Sequence, residues 1–249
     1  MLAGGGPATA ASLGLSMIAL QASIGALNDV HDAAADAGRL PPKPIPGGWV
    51  SMRSARAVVG GGALIGLILA AANGPLVLVL AIMVLAIGYG YDLLAKGTPW
   101  SWLPFAVGIP ILPVFGWVGA IGVVPGFFVV LLPMATLAGA ALAIANARAD
   151  LERDLASGSL SVVTRLGTER AWWLHVALWT IVVVLGIGWL VRTGAAAPLV
   201  ALVGVAGGGV LMAGVASRGL DPAGRERAWE VEAGGVAVAL VAWLAGVLG

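Results

Sequence analysis

The chain has 249 residues, 60% of them apolar and 10% charged, with a mean hydropathy of +1.01. A soluble domain carries about 25% charged residues, so a soluble globular fold is excluded. A transmembrane β-barrel is excluded too, because the apolar residues run in long blocks and do not alternate with polar ones. The 13 Lys and Arg nearly balance the 12 Asp and Glu, so no strongly basic surface marks a nucleic-acid partner, and without cysteine no disulfide can form.

Eight segments are long enough to cross about 30 Å of hydrocarbon: 8–28, 54–73, 75–94, 102–121, 126–147, 171–191, 197–216 and 230–248. They predict an all-α polytopic membrane protein forming a single transmembrane domain over 1–249. The first span lacks a basic leading region and runs into acids, not into a small-residue cleavage site, so it does not read as a signal peptide.

That first span ends in Asn28-Asp29-Val30-His31-Asp32-Ala33-Ala34-Ala35-Asp36. Carboxylates spaced by three and four residues share one face of a helix. Held that close they repel, and would partly protonate unless a cation neutralises them. Such hard oxygen ligands suit Mg²⁺, which takes one or two carboxylates together with phosphate oxygens and water. A second acidic cluster, Asp150-Leu151-Glu152-Arg153-Asp154, ends the fifth span. Two acid clusters at two helix ends suggest one shared metal–diphosphate site.

The turns at 72–75, 120–125 and 192–194 are short, whereas the loops 29–53, 95–101, 148–170 and 217–229 are longer and polar. Of the 13 Lys and Arg, only Arg192 falls on the short-turn side, and every Asp and Glu falls on the other. The basic excess marks the long-loop side as cytoplasmic. Eight spans then put both termini outside. Trp49, Trp100, Trp102, Trp172, Trp173 and Trp229 near one interface, and Trp117, Trp189 and Trp243 near the other, fit an aromatic belt. His31 reads as an interface residue and His175 as a packed or hydrogen-bonded side chain. Arg218, Arg225 and Arg227 read as topology anchors, with Asp221 and Arg225 also able to cap a site. Gly204 and Gly207 to Gly209 suit helix packing.

Taken in order, these motifs resemble the UbiA superfamily of intramembrane prenyltransferases. Asn28-Asp29-x-x-Asp32-x-x-x-Asp36 resembles its first acidic motif, and Lys43-Pro44-Ile45-Pro46-Gly47-Gly48 its R-P-I-P-S-G segment. Tyr91-Asp92-Leu93-Leu94-Ala95-Lys96 is similar to Y-S-x-x-L-K, with Asp92 for the usual Ser. Asp150-x-Glu152-x-Asp154-x-x-x-Gly158 resembles the second acidic motif, and Thr164-Arg165-Leu166-Gly167 the segment after it. Many members carry a further acid where this chain has Ala147. Members usually have nine helices, with the first motif ending the second helix. Here it ends the first, so the family's opening helix is expected to be missing, by truncation or in a natural eight-helix variant.

The resemblance implies a Mg²⁺-dependent enzyme of the cell membrane. It would transfer a prenyl group from a polyprenyl diphosphate to an acceptor that the sequence does not name, with its active site toward the cytoplasm. Asn28, Asp29, Asp32 and Asp36 would hold one Mg²⁺, and Asp150 and Asp154 a second. Lys43, Lys96, Arg39 and Arg153 would bind diphosphate oxygens, and Tyr91 would donate a hydrogen bond to them. Asp29, Asp32, Asp154, Lys43, Tyr91 and Lys96 are the residues expected to carry catalysis. Departure of the diphosphate leaves an allylic cation that water would quench, so the apolar helices are expected to keep it dry. A terpene cyclase of the same fold, working without an acceptor, is the alternative. A transporter is disfavoured, because transport needs polar groups near the midplane and here almost every ionisable group lies at one edge.

Overall fold

The computed structural model describes residues 4–38 and 42–249. Among them there is no strand, and eight helices are long and apolar enough to cross a membrane. The chain is an all-helical, multi-pass membrane protein. Its helices are α1 (Pro7–Asp32), α2 (Met52–Ala72), α3 (Pro75–Gly90), α4 (Leu103–Ile121), α5 (Phe128–Ala149), α6 (Leu151–Ser157), α7 (Val162–Leu166), α8 (Thr168–Thr193), α9 (Ala197–Ala216) and α10 (Pro222–Leu248). A π-helical turn, Tyr91–Ala95, continues α3, and a 3₁₀ turn, Ser217–Gly219, follows α9.

Local chemistry sets the helix starts. Pro fills the first turn of α1, α3, α9 and α10, where its missing N–H costs nothing. The Ser51 side chain accepts from the Ser54 N–H at 3.0 Å to cap α2. Asp221 caps α10 by accepting from the Gly224 N–H at 2.8 Å. This last cap corrects the expected loop 217–229. With Asp221 and Pro222 as a start signal, α10 begins eight residues before the apolar run does, and its polar first two turns are helix. At the other end of the chain, α1 runs through Asn28 and Asp29 to Asp32, beyond the expected limit of 28.

The helices fall into two compact units. The first holds α1, α2, α3 and the part of α4 from Ile111 onward. Leu13, Leu20, Ala70, Val77, Ala81, Val84 and Phe115 form its core. Water offers no driving force between helices inside a membrane, so close approach and hydrogen bonds hold them. At the α1–α2 contact a Cβ on Gly62 would stand 2.7 Å from the Ala19 carbonyl oxygen, a backbone obstacle that requires glycine, and one on Gly66 would stand 2.6 Å from the Leu20 side chain and force it to shift. Ser16 donates to the Gly66 carbonyl at 2.7 Å, and Ser23 to that of Val59 at 2.6 Å.

The second unit comprises Lys96–Pro110 and Pro125–Gly249. In α5, 56% of the most apolar window is buried, against 17–28% in the other seven spans, which makes it the central helix of its unit. Gly139 lets the start of α4 approach: a Cβ there would lie 2.3 Å from the Phe105 carbonyl oxygen. Several polar groups within this unit are bonded across helices. Trp172 Nε1 donates to the Gly214 carbonyl and Trp243 Nε1 to that of Gly186, both at 3.1 Å. Trp172 and Trp243, like Trp117 in the first unit, are therefore core residues, whereas Trp49, Trp100 and Trp173 are exposed as belt residues should be. His175 is fully buried, as expected, with Nε2 2.8 Å from Glu232 Oε2. Arg148 donates to Ser217 Oγ at 2.6 Å.

Candidate active site

In the first unit the end of α1 carries Asn28 and Asp29 side by side, with Asp32 about one turn further on. The helical pattern continues for one more bond, Asp36 N–H to Asp32 carbonyl at 2.9 Å, which brings Asp36 onto the same side. Lys43 Nζ lies 3.5 Å from Asp29 Oδ1 and 3.0 Å from Asp36 Oδ2. Two carboxylates therefore face a common point that a cation takes. His31 Nδ1 lies 3.2 Å from Asp32 Oδ1 and its ring is exposed.

The segment after Lys43 is built to hold it. The Gly47 N–H bonds back to the Lys43 carbonyl at 2.8 Å, and the Trp49 and Val50 N–H groups both reach the Pro44 carbonyl at 3.0 Å. A Cβ at Gly47 would stand 2.9 Å from the Lys43 carbonyl oxygen, and Gly48 has φ +75°. Both glycines are required, one for proximity and the other for its left-handed backbone. Arg39, the other basic residue expected here, lies outside the described residues.

Tyr91 opens the π-helical turn, its N–H bonding to the Gly88 and Ile87 carbonyls. Such turns are single insertions into an α-helix and recur at functional sites. The next residue, Asp92, is only 2% exposed, and its Oδ1 accepts from Asn28 Nδ2 at 2.9 Å. In the sequence Asp92 stands only as a departure from a motif, outside the expected site residues. A carboxylate in an apolar helix end is the signal that could have found it.

In the second unit, Lys96 directly follows the π turn. Gly97, with φ +71°, accepts from the Leu160 N–H at 3.0 Å and so ties the Lys96 loop to the segment after α6. Asp150 sits between α5 and α6, and Asp154 one turn later bonds to it, N–H to carbonyl at 2.9 Å. Asp150 and Asp154 thus stand one helical turn apart, at i and i+4. Arg153 is ion-paired with Asp150. Glu152 points another way, to Arg225 of α10 at 2.5 Å. Burial alone would raise the Glu152 pKa, but the Arg225 hydrogen bond and charge more than offset it and the value is lowered. Gly158, with φ +74°, ends α6 in the left-handed cap that glycine favours. Arg218 pairs with Glu169 at 2.6 Å and lies 4.7 Å over the Trp172 ring.

The donor set fits Mg²⁺. Among the described residues no three acidic or His side chains form a closed metal cage. Mg²⁺ does not need one: it binds through one or two carboxylates and completes its shell with water and phosphate oxygens. Asp29 and Asp36, already facing one cation, meet that requirement in one unit, and Asp150 and Asp154, one helical turn apart, carry the same donor chemistry in the other.

The model of the UbiA prenyltransferase family matches residues 1–247. No curated protein matches the chain by sequence. Among solved structures, the apo form of a UbiA homologue from Aeropyrum pernix K1 is similar with TM-score 0.76 and 20% identity, covering 97% of this chain and 91% of that one. A UbiA homologue from Archaeoglobus fulgidus bound to GPP and Mg²⁺ gives TM-score 0.69 and 18% identity, over 96% and 89%. A digeranylgeranylglyceryl phosphate synthase structure gives 0.70 and 17%, over 98% and 87%. At these identities the similarity establishes the fold.

Proposed function

Because the chain belongs to the UbiA prenyltransferase family, we propose that it transfers a prenyl group from a prenyl diphosphate to a membrane-accessible acceptor, with Mg²⁺ as cofactor. The observation that carries this reading is the convergence of Asp29 and Asp36 on one cationic point at the end of α1. A Mg²⁺ that neutralises a diphosphate needs paired carboxylates of this kind to hold it, and a structural helix end does not. The structures of the A. fulgidus homologue with GPP or DMAPP and Mg²⁺ support the same assignment of ligand and metal.

Asn28, Asp29, Asp32 and Asp36 would hold one Mg²⁺, and Asp150 and Asp154 a second. Bound there, Mg²⁺ would supply Lewis-acid neutralisation of the diphosphate oxygens. The chain's own basic groups do the rest. Lys43 and Lys96 donate charge-assisted hydrogen bonds to the diphosphate as negative charge develops on it. Arg153 restrains Asp150 in the resting protein, and Arg39 is a further donor to diphosphate. The Tyr91 hydroxyl donates to the same oxygens. The basic excess on the motif-bearing side supports a cytoplasmic orientation for it.

The test is product formation by the purified protein in lipid, given prenyl diphosphates with and without a panel of acceptors. A prenylated acceptor is expected, with turnover abolished by EDTA and restored by Mg²⁺. Activity that survives EDTA would defeat the metal assignment. A cyclised hydrocarbon released without acceptor would replace the transferase by a cyclase.

A further inference from the structure

Asn28 can ligate a metal or accept a hydrogen bond only through its Oδ1, because its Nδ2 carries two protons and no available lone pair. A free Asn side chain at a helix end can flip, presenting Oδ1 or Nδ2 with little difference in shape. Here the flip is decided by Asp92. Its Oδ1 lies 2.9 Å from Asn28 Nδ2. The NH₂ edge of the amide donates to this carboxylate oxygen, which leaves the carbonyl edge turned away from Asp92.

Asp92 is itself held in place. It is 2% exposed, within the π-helical turn Tyr91–Ala95 at the end of α3, and α1 packs against that helix. One extra residue in the turn offsets the side chains that follow from the α-helical register. Burying a carboxylate in an apolar helix end is costly. A serine hydroxyl at this position would make the same kind of contact at lower cost. It could, however, either donate or accept, and so would leave the Asn28 amide undecided.

We propose that Asp92 is a positioning residue that fixes the Asn28 amide with Oδ1 turned toward the bound Mg²⁺–diphosphate. It is a specificity device of this chain, acting through Asn28 without touching the ligand. Groups behind a metal ligand usually matter by 10- to 100-fold in metal affinity. The proposal rests on the functional reading above, and its experiment separates the two.

The experiment titrates Mg²⁺ against binding of a non-hydrolysable geranyl thiolodiphosphate to the full-length protein in lipid nanodiscs, for wild type and for Asp92→Ala, Asp92→Ser and Asp92→Asn, with thermal melting as a check of folding. The Mg²⁺ concentration for half-maximal binding is expected to rise roughly tenfold or more in Asp92→Ala and Asp92→Ser. In Asp92→Asn, whose amide can donate as well as accept and so, like serine, leaves the Asn28 amide undecided, it should rise into the same range. Asn28→Ala should match Asp92→Ala, and the double variant should lose nothing more. Wild type that binds the analogue independently of Mg²⁺, or not at all, would remove the functional reading and this proposal with it. Wild type that needs Mg²⁺, with an unchanged half-point in Asp92→Ala and Asp92→Ser, would remove this proposal alone. So would a double variant that loses more than Asn28→Ala alone, since the charge of Asp92 and not the Asn28 amide would then be at work. Loss of the folded protein in both small variants would make Asp92 a core residue and overturn the proposal equally.

Discussion

Lys43 spans two carboxylates, and that geometry sets what its removal should do. Its ammonium lies 3.0 Å from Asp36 and 3.5 Å from Asp29. If it serves the departing diphosphate, Lys43→Ala removes a transition-state donor, a loss worth about 2–4 kcal/mol at comparable sites. That is roughly 30- to 1000-fold in turnover at 1.36 kcal/mol per tenfold. The same change leaves the two acids facing each other with one positive charge fewer, which favours a metal ion. The expected signature is therefore a lower kcat with no increase in the Mg²⁺ concentration for half-maximal activity. Asp36→Asn should do the reverse, raising the Mg²⁺ requirement. Steady-state kinetics over a Mg²⁺ series checks both, and a Lys43→Ala variant with unaltered kcat would reduce Lys43 to an interface anchor.

Helices meet in this protein where side chains are absent. Gly139 on α5 faces the Phe105 carbonyl so closely that a Cβ would stand 2.3 Å from the oxygen. The obstacle is backbone, which cannot rotate away as a flexible side chain could. Overpacking of this kind costs typically about 1–3 kcal/mol, and Gly139→Ala should fall at the upper end, read as a lower melting temperature in detergent. Gly208, with nothing within reach of a Cβ, should accept alanine without loss and serves as the control. A second element-level contact joins α6 to α10 through Glu152 and Arg225. The Glu152 pKa is lowered in the folded protein although burial opposes this, because Arg225 hydrogen-bonds to the carboxylate. A lowered folded-state pKa means that the contact stabilises above the ordinary glutamate value of 4.5 and is lost as pH falls through the folded value. Glu152 is half exposed, so the effect is screened. Wild type should melt slightly above Glu152→Gln at pH 7, and the two curves should merge as the pH is lowered below that value. A difference that persists into acid would mean that packing and not charge links α6 to α10.

For the molecule as a whole the first question is which way it faces. If the motif-bearing side is cytoplasmic, single cysteines at the exposed Ser51 and Ser157 should react with a membrane-impermeant maleimide only after permeabilisation, while Val123→Cys should react in intact cells. The absence of native cysteine makes each label unambiguous. Ser217 looks equally suitable in the sequence, but it is 3% exposed and bonded to Arg148 and so would report nothing. Labelling of Ser51→Cys from outside intact cells would invert the assignment.

The membrane class, the eight spans and the two acidic motifs are determined by the sequence alone, for one physical reason. Apolar run length and charge placement are local quantities, and the bilayer reads them locally. The start of α10 does not follow from hydropathy, because the cap at Asp221 and Pro222 begins the helix while its residues are still polar. Only the tertiary structure decides what pairs with what. Asn28 and Asp92 are 64 residues apart, and Glu152 and Arg225 are 73. Neither contact leaves a trace in a local pattern, because each depends on two helix ends being carried to the same place. The π turn that positions Asp92 is likewise invisible in a uniformly apolar run, and it becomes visible only when α3 has a neighbour to register against.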